Sequence, residues 1–494
     1  MRQVENPQIQ LGELDIAAIP LDTRSRDDIP KLLLGLQHIY SEPALREAVF
    51  RILEEVKPLN ADGEPVSSEN GRPGMAQWKI LVLGVLRLGL NTDYDRLHEL
   101  ANQHQTIRRF LGHGDWCDDH YYNEQTLRDN LQLFTPDILD RINQAVVKAG
   151  HVLVKKKPNG GPIDLEPLHA RCDSFVVETH VHYPTDINLL WDAVRKTLTE
   201  SRDLADVLNI KGWRQSQHHI KVFKHQYRRL QKARHQKNAS EKLEAEYLSY
   251  LLPALEHLER SEQLLQQLRD KKVEAKETAD LESYQGYVRL LVDQIHRRCL
   301  EGETIPHEEK IFSIFQPHTE WICKGKAGVP VELGIRVNIV EDRHRFILHH
   351  QVAQKKTDDK VAISITAETK ERYPRLNAIS FDKGYHSPEN QRVLPTLVEQ
   401  VTLPKKGRLN QQEQKREQSD GFQGHRRRHS GVESAINALE HGGLDVCPDH
   451  GIDGFKRYVA LAVVARNVKR MGAIIQQQQQ DKEKRKRGPY KKAA

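Results

Sequence analysis

A long charged stretch divides the strand-forming part of this 494-residue sequence into two pieces. Runs typical of strands lie at 170–181, 329–340, 345–352 and 377–381, and the first of them contains several β-branched residues. Between the first run and the others, residues 201–311 are dominated by charge, glutamine and leucine at helical spacing. We therefore expect one α/β domain, formed by residues 165–200 and 312–472 and split by a large helical insertion.

The insertion has the pattern of a helical hairpin or a short coiled coil that is interrupted at Pro253. Two interpretations fit this pattern. The insertion is either a solvated helical element or a coil that binds a specific partner, and the leucine spacing favours the first.

The N-terminal part of the chain is predicted to be helical. Apolar spacing indicates a helical segment within residues 1–60, followed by a linker rich in glycine, proline, serine and asparagine. Residues 75–150 form a second, compact helical unit that ends at Gly150. Its arginines, including Arg108 and Arg109, fit DNA binding, and a plain helical bundle used for dimerisation fits equally well. At the other end, residues 476–494 form a low-complexity basic tail that we expect to be disordered.

The composition indicates the cellular compartment of the protein but does not indicate its function. The net charge of +6 is mild for this length, but basic residues cluster at 405–428 and 482–492. The five cysteines form no CxxC pair, which favours a reducing compartment over a disulfide framework. We expect a cytoplasmic protein that does not enter a membrane, because the N-terminus lacks a signal-peptide pattern and no apolar run is long enough to span a bilayer.

Three acidic residues stand where local structure alone does not favour them. Asp173 is embedded in a strand pattern, where aspartate is depleted. Asp382 follows a short strand, at the sheet edge where α/β proteins bind ligands. Glu433 lies in a helical pattern after a basic run. Carboxylates that converge from two strands and a helix suit a site for two Mg²⁺ ions that promotes phosphoryl transfer.

Each carboxylate also has a simpler interpretation. Asp382 can cap the turn before Gly384, Glu433 can be an ordinary glutamate on a helix face, and Asp173 can pair with Arg171. Spacing alone does not decide between these readings.

Three ordered motifs resemble those of bacterial insertion-sequence DDE transposases, most closely the ISNCY type. CDSFVVETHVHYPTDINLLWDAVRK (Cys172–Lys196) is similar to the first catalytic motif of that family, and SFDKGYHSPEN (Ser380–Asn390) is similar to the second. HSGVESAINALEHGGLDVC with GFKRYVALAVVARNVKRMG, within His429–Gly472, is similar to the third. The likeness extends from near Gly71 to Gly472 and includes WICKGKAGVPVELGIRV (Trp321–Val337).

The resemblance implies a fold, an activity and a set of partners. The fold would be an RNase H-like catalytic domain, with a mixed sheet and flanking helices, and an N-terminal all-helical domain for terminal inverted repeats. The activity would be DNA transposition, in which Mg²⁺, or Mn²⁺ in its place, supports strand cleavage at the element ends and transfer into target DNA. By motif position, Asp173, Asp382 and Glu433 would bind the metals. The enzyme would act as a homo-oligomer on DNA, associated with the bacterial nucleoid.

The sequence departs from related transposases around the glutamate. Several groups have a Tyr, an Arg and a Lys at fixed helical spacing there, where this chain has Arg426, His429 and Glu440. The roles of those flanking residues therefore do not transfer. The neighbouring cations are instead the candidates for binding DNA phosphates, namely Lys405, Lys406, Arg426, Arg427 and Arg428, together with Arg108 and Arg109 of the helical unit.

Two other functions remain open on the sequence. One is a DNA-binding protein derived from a transposase that no longer catalyses the reaction. The other is an RNase H-like nuclease that cuts DNA without joining it.

Overall fold

The computed structural model describes residues 2–5, 14–58, 66, 74–114, 119–155, 167–235, 240–323 and 330–487. The chain divides into two compact units. Unit 1 comprises residues 1–178 and 334–494, and unit 2 comprises residues 179–333. Most of the predicted linker between residues 60 and 74 lies outside the described residues.

The helices and strands follow one another along the chain. The first half contains α1 (Asp28–Ser41), α2 (Pro43–Leu53), α3 (Gln77–Gly89), α4 (Tyr94–Gln103), α5 (Gln105–Phe110), α6 (Glu124–Leu131), α7 (Pro136–Lys155), β1 (Leu168–Thr179), α8 (Asp186–Val207), α9 (Ser216–Arg234) and α10 (Ser240–Asp270). The second half contains α11 (Ala275–Cys299), β2 (Glu320–Cys323), β3 (Val331–Asp342), β4 (Ile347–Ala353), α12 (Asp358–Arg372), β5 (Leu376–Phe381), α13 (Pro388–Leu397), β6 (Gln400–Thr402), α14 (Gln411–Gln418), α15 (Asp420–His429), α16 (Gly431–Leu439), β7 (Val446–Cys447) and α17 (Gly451–Arg487).

A mixed sheet of seven strands organises the fold. Its main order is β2-β3-β1-β5-β6, with β4 paired to β3 and β7 paired to β1. Strand β1 runs antiparallel to β3 and parallel to β5, and β5 runs parallel to β6. The predicted α/β class with a mixed sheet and flanking helices is confirmed. Strands β3 and β4 pair in antiparallel register and form a β-hairpin.

The helices of unit 1 share one hydrophobic core with the sheet. Helix α17 packs against α1, α3 and α7, and the buried side chains of these helices are continuous with those of β1, β3 and β5. Polar side chains define the helix starts as the sequence indicates. Asp93 accepts the N–H of Arg96 at the start of α4, and Asn123 accepts the N–H of Gln125 at the start of α6.

Unit 2 contains a separate hydrophobic core, to which α8, α9, α10 and α11 all contribute. The insertion is thus more than a hairpin. The predicted interruption at Pro253 is wrong, because Pro253 lies inside the continuous helix α10. Packing of buried residues on both sides, among them Leu251 and Ala254, offsets the loss of one backbone hydrogen bond.

Two predicted ends in unit 1 also differ from the structure. Helix α7 does not stop at Gly150 but continues to Lys155. A Cβ at Gly150 would lie 2.2 Å from a ring carbon of Phe346, so the glycine permits a close approach instead of ending the helix. The tail was expected to be disordered over 476–494, yet α17 extends to Arg487. The amides of Gln476 and Gln480 donate to backbone carbonyls of residues 25 and 23, which ties this part of the helix to the N-terminal segment.

None of the helices among the described residues is both long and apolar enough to cross a lipid bilayer.

Candidate functional site

Strand register brings Asp173 and Asp382 together. In the parallel pair β1–β5, Cys172 lies opposite Phe381, so the next residue of each chain segment is an aspartate. Strand β5 ends at Phe381, which places Asp382 in the turn at the carboxyl end of the strand. Asp382 Oδ2 accepts the N–H of Gly384 at 3.2 Å. The carboxylate therefore shapes the turn as the simpler reading expected, and it also faces the neighbouring aspartate.

Glu433 reaches the same region from α16. It is an exposed residue in the first turn of that helix. Its carboxylate is close enough that its negative charge, like that of Asp382, raises the pKa of Asp173. The three carboxylates predicted from the sequence thus lie together in unit 1, and their roles in catalysis stay predictions.

Arg171 links β1 to the end of α15, directly before α16. Its guanidinium donates to the Arg428 carbonyl oxygen at 2.9 Å and pairs with Glu341 at 2.7 Å. The same group occupies the space that a side chain at Gly431 would need, since a Cβ there would lie 1.9 Å from Arg171 Nη1. Arg171 therefore does not neutralise Asp173, as the alternative reading proposed, but supports the helix that carries Glu433.

A fourth carboxylate, Asp358, belongs to the cluster and was not predicted. It is the first residue of α12, and its negative charge also raises the pKa of Asp173. The carboxylates of Asp358 and Asp382 both lie beside Gly384. A Cβ added to Gly384 would be 3.5 Å from Asp358 Oδ2 and 3.6 Å from Asp382 Oδ2. These two oxygens are therefore no farther apart than the sum of the two distances. The sequence signal, Thr357-Asp358-Asp359 before a helix, is the ordinary pattern of a helix start and hid this role.

Buried hydrogen bonds hold the loop that follows Asp382. The Tyr385 hydroxyl donates to Asn338 Oδ1 on β3, and Tyr385 is fully buried. The Asn390 amide donates to the carbonyl oxygens of Tyr385 and Asp359, both at 2.7 Å. Since Asp359 is next to Asp358, this amide links the start of α12 to the loop after Asp382. The motif residues Gly-Tyr and Asn thus serve to position two carboxylates.

The cluster carries an excess of negative charge. Burial raises the pKa of Asp173 to about 7, and repulsion from Asp382, Asp358 and Glu433 adds to the increase, against a lowering by the Ser174 N–H. Burial also raises the pKa of Asp358. These shifts show that the carboxylates are held near one another in surroundings that do not favour their charged forms.

Protein cations compensate this charge only in part. Arg336 Nε lies 3.9 Å from Asp358 Oδ1, beyond hydrogen-bonding distance. Lys406 Nζ donates to the Gly384 carbonyl at 2.9 Å and also acts electrostatically on Asp358. Asp358 Oδ1 is buried and accepts no hydrogen bond from a described residue. A buried acceptor without a donor, in a set of oxygen ligands with net negative charge, fits a hard divalent cation such as Mg²⁺.

His429 borders the cluster. Its Nδ1 lies 3.0 Å from the Ser380 hydroxyl, and its Nε2 is buried without a hydrogen-bond partner among the described residues. Burial lowers the pKa of His429, whereas the Asp382 charge raises it. Burial of the imidazole therefore favours its neutral form beside Asp382.

The predicted DNA-binding residues near Glu433 differ in their exposure and in whether an acidic residue already pairs with them. Arg426, Arg427 and Arg428 are exposed on the last turn of α15, where they are available to a ligand in solution. Lys406 contacts the loop at the carboxylates. Lys405 differs, because its Nζ pairs with Glu413 at 2.7 Å and its charge is already compensated.

Arg108 and Arg109 lie on α5 and are half-buried. Arg108 donates to the backbone carbonyls of Asn102 and His120, so its guanidinium holds two parts of the helical region together. A role for this region in recognising DNA stays a prediction.

A second group of possible metal ligands occurs in unit 1, among Asp140, His349 and His350. Arg372 donates to Asp140 at 3.0 Å and also contacts His349 Nδ1. His349 Nε2 in turn bonds to Glu368 at 2.8 Å. The guanidinium thus supplies positive charge within this group.

Comparison of the chain with protein-family models, with curated proteins and with solved structures found no match.

Proposed function

We propose that this chain is a DDE-type transposase of a bacterial insertion sequence with an RNase H-like catalytic domain. One observation carries the proposal: carboxylates at the end of β5, on α12 and on α16 lie close enough to Asp173 of β1 to raise its pKa, and Asp358 Oδ1 is buried without a hydrogen-bond donor among the described residues. Charge repulsion of this kind opposes folding, and a site that binds divalent cations is the simplest function that requires it.

Asp173, Asp382 and Glu433 would hold two Mg²⁺ ions, and Asp358 would complete the set of oxygen ligands. When bound, the ions would lower the barrier for displacement at phosphorus by stabilising charge on the entering and leaving oxygens. The residues of the chain orient this site. Tyr385 and Asn390 hold the loop of Asp382, and Lys406 adds a cation beside Gly384. Arg171 holds the end of α15, directly before the helix of Glu433.

The proposed reaction has two steps at one site. In the first, a water oxygen forms a bond to phosphorus at the element end while the bond from phosphorus to the 3′ oxygen breaks. Water loses a proton to solvent, and the leaving oxygen becomes a 3′ hydroxyl. In the second, that hydroxyl loses its proton and attacks a phosphorus of target DNA, whose own 3′ oxygen leaves and is protonated. Neither step consumes a redox partner.

The substrate would be DNA, with terminal inverted repeats and a target. Arg426, Arg427 and Arg428 are exposed cations on the last turn of α15, five to seven residues before Glu433, and such side chains bind phosphates without reading sequence. The helices within residues 75–150 would recognise the repeats. A homo-oligomer on DNA would bring two element ends together.

The test is metal-dependent cleavage of DNA that carries the ends of the element containing this gene. Wild-type protein, Asp382→Asn and Asp358→Asn would be compared with Mg²⁺, with Mn²⁺ and with EDTA. The matched control is Glu371→Gln, which removes an exposed carboxylate from the last turn of α12. We expect nicked ends and joined products from the wild type and the control. Either site substitution should reduce cleavage about 100-fold or more, in line with the loss of a metal ligand or of aligned geometry.

Other outcomes select other functions. Cleavage without any joined product would favour a nuclease. DNA binding without cleavage under every metal condition would favour a non-catalytic transposase derivative. Full activity in Asp382→Asn would exclude the carboxylate cluster as the catalytic site.

A further inference from the structure

One helix of unit 2, together with the segment before it, carries positive charge that is not mixed with acidic residues. Between Asp206 and Glu241 the sequence contains no acidic residue. Helix α9 has six lysines and arginines and no aspartate or glutamate. The neighbouring helix α10 has the opposite balance, with seven acidic and three basic residues. Unit 2 therefore has a strongly cationic element beside acidic ones, which its total charge does not reveal.

The cations of α9 form a stripe on its exposed side. Lys221, Lys224, Arg228 and Lys232 are separated by three or four residues and are all exposed, so they share one face. Phe223, Leu230 and Ala233 are buried on the other side, within the core of unit 2. At a rise of 1.5 Å per residue, the stripe spans about 16 Å along the helix axis.

The four residues of this α9 stripe have no acidic partner among the described residues. None of them forms an ion pair with a described residue, and Lys224 instead lies over the Trp191 ring, 5.7 Å from its centroid. Arg229, at the side of the stripe, is the α9 cation that pairs, with Glu246 at 2.8 Å.

Several cations elsewhere in unit 2 form ion pairs with acidic residues. Arg269 pairs with Glu282, Arg289 with Glu262, and Lys276 with Glu274. Like charges three and four residues apart destabilise an isolated helix slightly, so folding gains nothing from the arrangement on α9. The unpaired stripe points to a ligand that carries regularly spaced negative charge.

We propose that the α9 stripe binds the phosphate backbone of duplex DNA, independently of sequence. The choice of DNA as the polyanion rests on the proposed function, whereas the stripe itself does not. One strand of duplex DNA presents a phosphate about every 3.4 Å along the helix axis, so the stripe is long enough to face about five phosphates. Lysine side chains are point charges on flexible stems, which suits attraction to phosphates better than reading of bases.

The experiment measures DNA binding by the full chain as a function of salt. A fluorescent duplex of about 40 base pairs and unrelated sequence would be titrated in EDTA, so that cleavage does not occur, between about 50 and about 300 mM KCl. Lys221→Gln/Lys224→Gln/Arg228→Gln would be compared with Arg269→Gln/Lys276→Gln/Arg289→Gln, which removes the same charge from paired cations of unit 2.

We expect the stripe variant to reduce the slope of log affinity against log salt by about 2 to 3, and the affinity at 0.1 M salt by about two orders of magnitude. The control variant should change neither by more than about twofold. A charge-preserving variant, Lys221→Arg/Lys224→Arg/Arg228→Lys, should bind like the wild type and excludes an effect of misfolding. An unchanged slope in the stripe variant, or equal losses in stripe and control variants, would overturn the inference.

The experiment tests the role of the α9 stripe separately from the proposed function. Normal metal-dependent cleavage with an unchanged salt slope rejects only the role of the α9 stripe. Stripe-dependent DNA binding by a wild type that never cleaves rejects only the transposase. Stripe-dependent binding of RNA with no binding of duplex DNA would reject DNA as the ligand of the stripe.

Discussion

Replacing Asp173 with asparagine should stabilise the metal-free protein, and the gain should grow as pH rises. Burial and three neighbouring carboxylates raise the pKa of Asp173 from 3.8 to about 7 in the folded chain. In the unfolded chain the same carboxyl titrates near its ordinary value. The folded state therefore binds more protons than the unfolded state between about pH 4 and about pH 7, and stability falls as pH rises through that window.

The magnitude follows from the size of the shift. A change of about three pKa units corresponds to about 4 kcal/mol of lost stability at pH values above both pKa values, at about 1.4 kcal/mol per unit. By about pH 5 the unfolded carboxyl is already mostly ionised, so part of this loss has occurred there. About 2 to 3 kcal/mol of it should appear between about pH 5 and about pH 8.

The assay is hydrogen–deuterium exchange of peptides that contain β1, measured in EDTA at both pH values over a series of urea concentrations. Exchange of these peptides reports the opening of unit 1 whether or not unit 2 unfolds with it. Between the two pH values, the free energy of opening should fall by about 2 to 3 kcal/mol more in the wild type than in Asp173→Asn. Glu371→Gln, which removes an exposed carboxylate, should follow the wild type. Parallel pH dependence in wild type and Asp173→Asn would show that the carboxylates are not crowded, and would remove the electrostatic argument for a cation site.

Three further outcomes are expected. Excess Mg²⁺ should protect the β1 and β5 peptides from exchange, by about 2.7 kcal/mol at a hundredfold excess over its dissociation constant, and EDTA should reverse this. Gly431→Ala should reduce cleavage about 10- to 100-fold, because a Cβ would displace the guanidinium of Arg171 and so shift α16. Gly424→Ala, whose Cβ would meet only an arginine nitrogen at 3.8 Å, should leave cleavage unchanged. Tyr385→Phe should lower the unfolding free energy by about 1 to 3 kcal/mol in urea titrations, because Asn338 loses its buried hydrogen bond.

Local patterns in the sequence predicted most of the secondary structure. Hydrophobic period and capping residues are local properties, so the helices after Asp93, Asn123 and Thr185 begin where these residues indicate. The strand ending before Asp382 was also predicted, because the short run NAISF is followed by a turn signal. The interval between the two groups of strands predicted a helical insertion, which the structure contains.

Long-range packing produced the differences. Pro253 and Gly150 are local signals of a break, but each lies inside a helix because its neighbours are buried. The glutamines from Gln476 onward are polar and repetitive, and donation of their amides to distant carbonyls keeps them helical. Such contacts join residues far apart in the chain, and a local pattern does not contain them.

The sequence by itself determined the residue types of the candidate site and three of its four carboxylates. The tertiary structure alone decided that Asp358 joins them, because its position depends on the parallel register of β1 and β5 and on the amide of Asn390. The tertiary structure also decided which cations are available to bind a ligand. Lys405 forms an ion pair with Glu413, whereas Lys406 donates to a backbone carbonyl. In unit 2, several cations form ion pairs, whereas those of the α9 stripe do not pair with a described residue. Charge is a property of the residue, whereas its compensation depends on what lies within a few ångströms.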